Sequence, residues 1–477
     1  MERTTSAAGT HALAALLAAS LAAMLAACAS TPDYEAPAIA TAPVYHAAQA
    51  AAPGEAPPLD RWWLGFQDPE LARLIERALA QNLDLEAAAA RVDQARASAG
   101  IAAAALLPTV SAQAGISAER QSLESPLGKL ASAFPGYDRT PVLRSEALVA
   151  SWELDPAGGL KRQREQRGYE AQAAEAERLG VRVSVAAEVA DAWLRIRGAR
   201  LRLDLAKQRL RDDTRLLELV QARREDGLAT LGEQAQAEAR VAQVRATLAP
   251  LRAEIASQQN RLAVLVGEAP GKVGADAAPG PLALPAWGSD LHPADLLRRR
   301  PDVLAAERRL AAAHAGVGVA SAEYYPKLSL SALLGMESLR TGVPNAANFQ
   351  PAAALGLRWR LFDFGAIDAE VARATAARRE ALLRYRQAML RATEDVENAM
   401  VAAGALREES AALRDEVAAA SRARDQAHEA WMGGAASLLD ALELDRQYLT
   451  AQDRLSQVET ESARATVAGF RALGGGW

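Results

Sequence analysis

The side chain whose sequence neighbours most narrowly define a chemistry is Cys28, and that chemistry is lipid attachment. It is the only cysteine in 477 residues, so an intramolecular disulfide is ruled out. It follows Leu25-Ala26-Ala27, at the end of a run (residues 12–27) that is apolar or small except for Ser20. Such a run reads as the h-region of a signal peptide or as a short buried helix. It falls short of the ~20 residues a membrane-spanning helix needs. Small residues ahead of a cleavage point suit a signal peptidase. A cysteine at the first mature position supplies a thiol that can take a diacylglycerol. The n-region is weak, with Arg3 offset by Glu2. The expectation is a lipoprotein signal peptide over residues 1–27 and a covalent lipid on Cys28.

Other chemistries find little support. The later histidines, His46, His292, His314 and His428, are widely spaced and form no metal-ligand pair. No nucleophile elbow, P-loop or dinucleotide fingerprint occurs. Carboxylates abound on helical segments, with nothing to pair them into acid and base. The chain is therefore expected to be no enzyme, with no catalytic residue, no metal and no cofactor beyond the lipid. Net charge is −5, with no basic stripe for nucleic acid. Arg298-Arg299-Arg300, just before Pro301, is expected to solvate a junction.

These side chains need elements to position them. Residues 28–60 are rich in Pro and Ala and read as an extended tether. At Asp68-Pro69 the chain offers a helix N-cap followed by Pro at the first helical position. Helix then runs toward Leu106, with a break expected near Asn82-Leu83-Asp84. Trp62 and Trp63 are either a binding surface or, as favoured, the packing anchor of the helical body. Val110, Ala112, Ala114 and Ile116 alternate with small polar residues, the period of a strand. Strands are expected near 108–118 and 143–154, each about as long as a tilted strand needs (~9–11 residues) to cross a bilayer. Residues 160–266 read as nearly unbroken helix, interrupted around Gly227, with Leu203, Leu210 and Leu217 as a heptad seam. Leu382, Met389, Val396 and Ala403 form a second seam.

The second half repeats the first. Asp84 and Pro108 align with Asp302 and Pro326 at an offset of 218; Trp152, Gly158 and Gly227 align with Trp359, Gly365 and Gly434 at 207. The first repeat covers 61–267, a linker 268–293, and the second repeat 294–473, with strands near 326–336 and 351–362 and a tail at 474–477. After Cys28 no apolar run approaches a membrane-spanning helix. A crossing must then be a closed β-barrel, and four strands cannot close one. Three copies would supply twelve strands, an even number within the range of outer-membrane barrels; counting alone leaves other copy numbers open.

The chain resembles the TolC-like outer-membrane efflux proteins, in the lipoprotein branch with NodT-type factors. The matching residues are Cys28 with Pro32-Asp33-Tyr34 and Pro37; Trp62-Trp63, Phe66 and Asp68-Pro69; Arg299-Arg300-Pro301-Asp302-Val303 with Ala306-Glu307; Tyr325-Pro326; and Leu361-Phe362-Asp363-Phe364-Gly365. Ala29, rather than Asp, resembles the default sorting of such lipoproteins to the outer membrane. The resemblance implies an α+β membrane protein: a homotrimer with a 12-stranded barrel and a long α-helical coiled-coil tunnel in the periplasm. It implies an exit duct for small molecules such as drugs, working with a periplasmic adaptor and an inner-membrane transporter. The alternatives are a duct for type I protein secretion and a coiled-coil lipoprotein without a pore. The resemblance also implies a periplasmic gate after the second hairpin turn, placed at Leu439, Glu443 and Arg446, with Asp440 beside them. Glu443 stands where the family usually has Asp. By spacing alone, Glu443 and Arg446 read rather as a solvated i,i+3 ion pair.

Overall fold

The computed structural model describes residues 32–37, 44–46, 57–273, 282–287, 292–294, 299–339 and 346–477. Cys28, the signal peptide, His46's flanking segments and Arg298 lie outside these. A short 3₁₀ helix, Leu59–Phe66, leads into α1 (Pro69–Gln81) and α2 (Leu83–Ala104). The break between the two helices is made by Asn82. Its Oδ1 accepts the Asp84 and Leu85 N–H groups at 3.0 and 3.1 Å, and its amide donates to the Leu265 carbonyl at 2.9 Å. Next come β1 (Thr109–Ala118), the short α3 (Pro126–Ala131), β2 (Val142–Leu154), α4 (Gly159–Glu225) and α5 (Leu231–Leu265). The second half supplies α6 (Pro301–Ala322), β3 (Lys327–Ser338), β4 (Phe349–Arg358), α7 (Ala366–Met432) and α8 (Leu438–Ala472).

The halves match down to individual hydrogen bonds. α4 and α7 each have 67 residues, α5 and α8 each 35, α2 and α6 each 22. α5 opens with a capping box between Thr230 and Glu233, and α8 with one between Ser437 and Asp440. The turns before them place Gly227 and Gly434 at φ 71° and 75°, where a side chain would be strained. Trp152 Nε1 donates to the Leu106 carbonyl and Trp359 Nε1 to the Tyr324 carbonyl, both at 2.9 Å.

β4 ends at Arg358, four residues before the expected limit of 362. Trp359 is turned back onto Tyr324. Asp363 accepts the N–H groups of Gly365 and Ile367 at 3.1 and 2.9 Å, starting α7. Those bonds take residues 359–365 out of the ladder.

Two compact units make up the fold. The first contains residues 93–172 and 308–383 together with the described part of the segment up to Pro37. Its sheet is antiparallel in the order β1-β2-β3-β4. The second contains residues 173–307 and 384–477 and the chain up to Val92 from residue 38. Its core gathers Trp62, Trp63, Phe66, Leu71, Trp193 and Phe470. Trp62 is fully buried and stacks on Phe470, ring centroids 5.4 Å apart and planes 9° off parallel. The two tryptophans are thus packing anchors. The last residues are tied in rather than left as a tail: Gly476 N–H donates to the Leu59 carbonyl at 2.8 Å, and Trp477 Nε1 to the Arg299 carbonyl at 3.0 Å.

Asp68 joins helix start to core. Its Oδ1 accepts the Glu70 and Leu71 N–H groups at 3.1 Å; its Oδ2 accepts Trp193 Nε1 at 2.9 Å and Arg197 at 3.1 Å. Asp68→Asn keeps the cap but removes the carboxylate oxygen that accepts from Trp193 Nε1 and Arg197. We expect a loss of about 1.5–3 kcal/mol, the range for a hydrogen bond to a charged group, read as a lowered thermal unfolding midpoint.

Arg300 corrects the expectation for its cluster. It does not solvate a junction: it is 9 % exposed. Its guanidinium binds Asp302 at 2.7 Å, Asp395 at 2.9 Å and the Ala472 carbonyl at 3.0 Å. Burial alone would lower its pKa, but the two carboxylates outweigh that and hold it raised.

Candidate functional site

Two features of the described chain lie apart from the main core of the second unit. One is the sheet. Its register puts Val110, Ala150, Ala332 and Ala353 on one face, with Ala112, Leu148, Leu334 and Pro351 in the next row. Because side chains alternate along each strand, Ile116, Leu330, Leu355 and Leu357 share that face. Leu148, Leu334, Leu355 and Ile116 are all more than half exposed. The face is interrupted only by Arg144, Glu146 and Ser338, toward the end that carries the loops. The opposite face presents Thr109, Ser111, Gln113, Ser145, Ser151, Ser329, Ser331 and Gln350, with Leu143, Val149 and Leu333 half-buried among them. An exposed apolar face this broad needs an apolar medium. A strand apolar on one side and small and polar on the other is the pattern of a barrel in lipid. The edges β1 and β4 each have one partner among the described residues. No helix of the described residues is long and apolar enough to cross a membrane.

These faces carry a direct expectation. Leu334→Arg, on the apolar face, should cost about 2–4 kcal/mol at mid-bilayer depth. Ser331→Arg, on the other face, should leave assembly intact. Yield of heat-modifiable oligomer from outer-membrane fractions distinguishes them.

The second feature lies at the hairpin ends of the second unit. Leu216 and Val220 of α4, Ala237 of α5 and Leu442 of α8 pack together, with Leu438 and Leu439 against them. Beside this cluster Glu443 accepts Arg446 Nε at 2.9 Å and also binds its Nη2. Arg240 of α5 donates to the same carboxylate at 3.1 Å. The hydrogen bond from Arg446 holds the Glu443 carboxyl below the usual carboxylate range, against a smaller opposing effect of burial. Asp213 of α4 lies close by, 4 % exposed, with its Oδ2 3.7 Å from Arg209 Nε. Burial pushes its carboxyl up, against the pull of Arg209, Arg240 and Arg446. His428 and Asp445 meet at 2.9 Å, and Arg424 sits 4.2 Å over the Tyr448 ring.

Of the residues singled out in the sequence, the fold brings Leu439, Glu443 and Arg446 to one patch. Asp440 is engaged otherwise: its carboxylate accepts the Ser437 hydroxyl at 2.7 Å and the Ser437 N–H at 3.2 Å, closing the capping box. Arg240 and Asp213 were not singled out. Each sits on another helix, and only Asp213's place beside the Leu210–Leu217 seam hints at its burial. Cys28 lies outside the described residues.

Known proteins agree with this arrangement. The model of the family described as outer membrane efflux protein matches residues 74–268 and 293–475. The pyoverdine export outer membrane protein OpmQ of Pseudomonas aeruginosa is 36% identical over 463 residues, covering 96% of each chain. Nodulation protein T of Rhizobium leguminosarum bv. trifolii is 30% identical, over 87% of this chain and 88% of its own. Among solved structures, the outer-membrane channel OprN superposes with a TM-score of 0.82 at 33% identity, covering 94% of this chain and 99% of its own. With an apolar face fit for lipid and helical hairpins built twice over, the chain belongs to the outer membrane efflux protein family and is an outer-membrane channel of an efflux system.

Proposed function

We propose that this chain works as a homotrimer whose three four-stranded sheets close one 12-stranded barrel, forming the passive exit duct of a tripartite pump for small molecules. The carrying observation is the sheet with one apolar face and two edges unpaired among the described residues, because open edges are not tolerated in lipid. A periplasmic adaptor and an energised inner-membrane transporter complete the pump. The chain itself carries out no chemistry on its cargo. Closure is tested by cysteines placed in β1 (Ser111→Cys) and β4 (Ala352→Cys), with neighbouring positions stepped along each strand. Oxidation should link chains into covalent trimers. A ladder that stops at dimers would overturn the stoichiometry.

The lipid on Cys28 tethers the chain to the periplasmic leaflet, and the strands make the crossing. Cys28→Ser behind a replacement signal peptide should therefore still insert as a trimer, with reduced yield. Labelled palmitate should be incorporated by the native chain and not by this variant.

The gate is assigned to the hairpin ends. Leu439 supplies an apolar ring that excludes water, and Glu443 a carboxylate ring. Arg446 and Arg240 hold Glu443 in place; Asp440 serves the helix cap. The links from Glu443 to both arginines support this over a solvated pair, since Arg240 belongs to the other hairpin.

A further inference from the structure

The polar face of the sheet carries a charge pattern that the channel reading leaves unused. At the end joined to the helices, Lys327 of β3 stands directly opposite Arg358 of β4. Like charges directly opposed in an antiparallel pair are destabilising. Lys327 is answered from below by Glu323 at 2.5 Å, and Glu323 is shared with Arg360. The Arg358 side chain is exposed and has no hydrogen-bond or ion-pair partner among the described residues. Glu153 of β2 faces the same side, and Glu153, Lys327, Ser329, Gly356 and Arg358 line one cleft. Three cations (Lys327, Arg358 and Arg360) thus meet two carboxylates (Glu153 and Glu323).

The surroundings make this charge conspicuous. The rest of the face is mostly small, with Ser151, Ser329, Ser331, Ala354 and Gly356 nearest. At Gly356 an added Cβ would sit 2.8 Å from Ser329 Oγ, so the row beside Arg358 is kept low. A sheet selected for stability alone would oppose neutral or opposite charges here.

We propose that Arg358, backed by Lys327, is a specificity-determining residue: a cationic ring at the helix-side mouth of the barrel lumen that favours solutes bearing carboxylate, sulfate or phosphate groups. This rests on the trimeric-barrel reading, which places three copies of each cation around the lumen. Rings of Arg or Lys bias pores toward anions as carboxylate rings bias them toward cations. Arginine suits the role because it stays charged at every working pH and offers a planar fork to oxyanions.

The test uses the full-length protein in planar lipid bilayers under a KCl gradient, with K⁺ and Cl⁻ as the probes. Arg358→Glu should raise the K⁺ over Cl⁻ permeability ratio by about threefold or more, and Arg358→Gln by a smaller step in the same direction. Arg144→Gln, on the apolar face, should leave the ratio unchanged. If Arg358→Glu does not assemble, Arg358→Cys is assembled first and then treated with charged methanethiosulfonates. The sulfonate reagent should move the reversal potential toward K⁺ and the trimethylammonium reagent toward Cl⁻. Clear single-channel steps with an unmoved ratio would overturn the proposal and leave the duct standing. Absence of steps both in the native protein and in the protein carrying Leu439→Ala with Glu443→Ala would overturn the duct reading and this inference with it.

Discussion

Trp62→Ala should destabilise the second unit by about 3–5 kcal/mol, the range for emptying a buried aromatic site. The side chain is fully buried, stacked on Phe470 and edge-on to Trp63 and Phe66. Its Nε1 has no hydrogen-bond partner among the described residues, so the expected loss is one of packing. Trp62→Phe keeps a ring against Phe470 and should cost far less. The C-terminal strap raises the stakes, since Gly475 and Gly476 lie against the Trp62 ring and would lose their wall. Limited proteolysis and the thermal midpoint of the purified oligomer are the readouts. Equal loss in the Phe and Ala variants would show that ring volume is not what matters.

Leu439→Ala combined with Glu443→Ala should shift the hairpin ends toward the open state. Half-exposed ion pairs are worth about 0.2–1 kcal/mol each. Three copies losing Glu443's links to Arg446 and Arg240 therefore sum to about 1–6 kcal/mol, and every 1.4 kcal/mol is tenfold in population. The conductance of the double variant should exceed that of the native channel severalfold. Acid gives the same result by another route. Glu443 is held below the ordinary carboxylate value of ~4.3. A carboxyl depressed in the folded state stabilises above its unfolded pKa, and the contribution is lost as pH falls through the depressed value. Native conductance should thus stay low from neutral pH down through the ordinary carboxylate range and rise only below it. Glu443→Gln should remove that acid step. Native-like conductance at neutral pH in the double variant would overturn the gate assignment.

Much of the architecture was legible because it is set within a few residues along the chain. The capping boxes at Thr230 and Ser437, the break at Asn82 and the turn glycines at 227 and 434 each act over four residues or fewer. The doubled pattern of offsets followed from the same local signals read twice. The alternation in β1 was visible too, although its meaning depended on four strands sharing one register. The seams were partly legible: Leu203, Met389 and Val396 are buried, whereas Leu210, Leu217, Leu382 and Ala403 are only half-buried. Coiled-coil periodicity names a face, but the neighbour decides its depth.

Arg300 illustrates what local reading misses. A run of three arginines before a proline resembles a solvated patch. Its partners, Asp395 and the Ala472 carbonyl, lie 95 and 172 positions away. Glu443 and Arg446 were adjacent on one helix from the outset, but Arg240, 203 positions distant, turns a surface pair into a link between hairpins.

By itself the sequence determined the doubled architecture, the helix starts and turns, and the period of the strands. All of these rest on chirality, capping and periodicity, which act over one turn of helix or one pleat. Only the tertiary structure decided which charges are buried, which helices share Glu443, and that Lys327 faces Arg358. Those outcomes depend on distant segments meeting and on the water each charge loses there. Neither distance through space nor desolvation is written in the order of the residues.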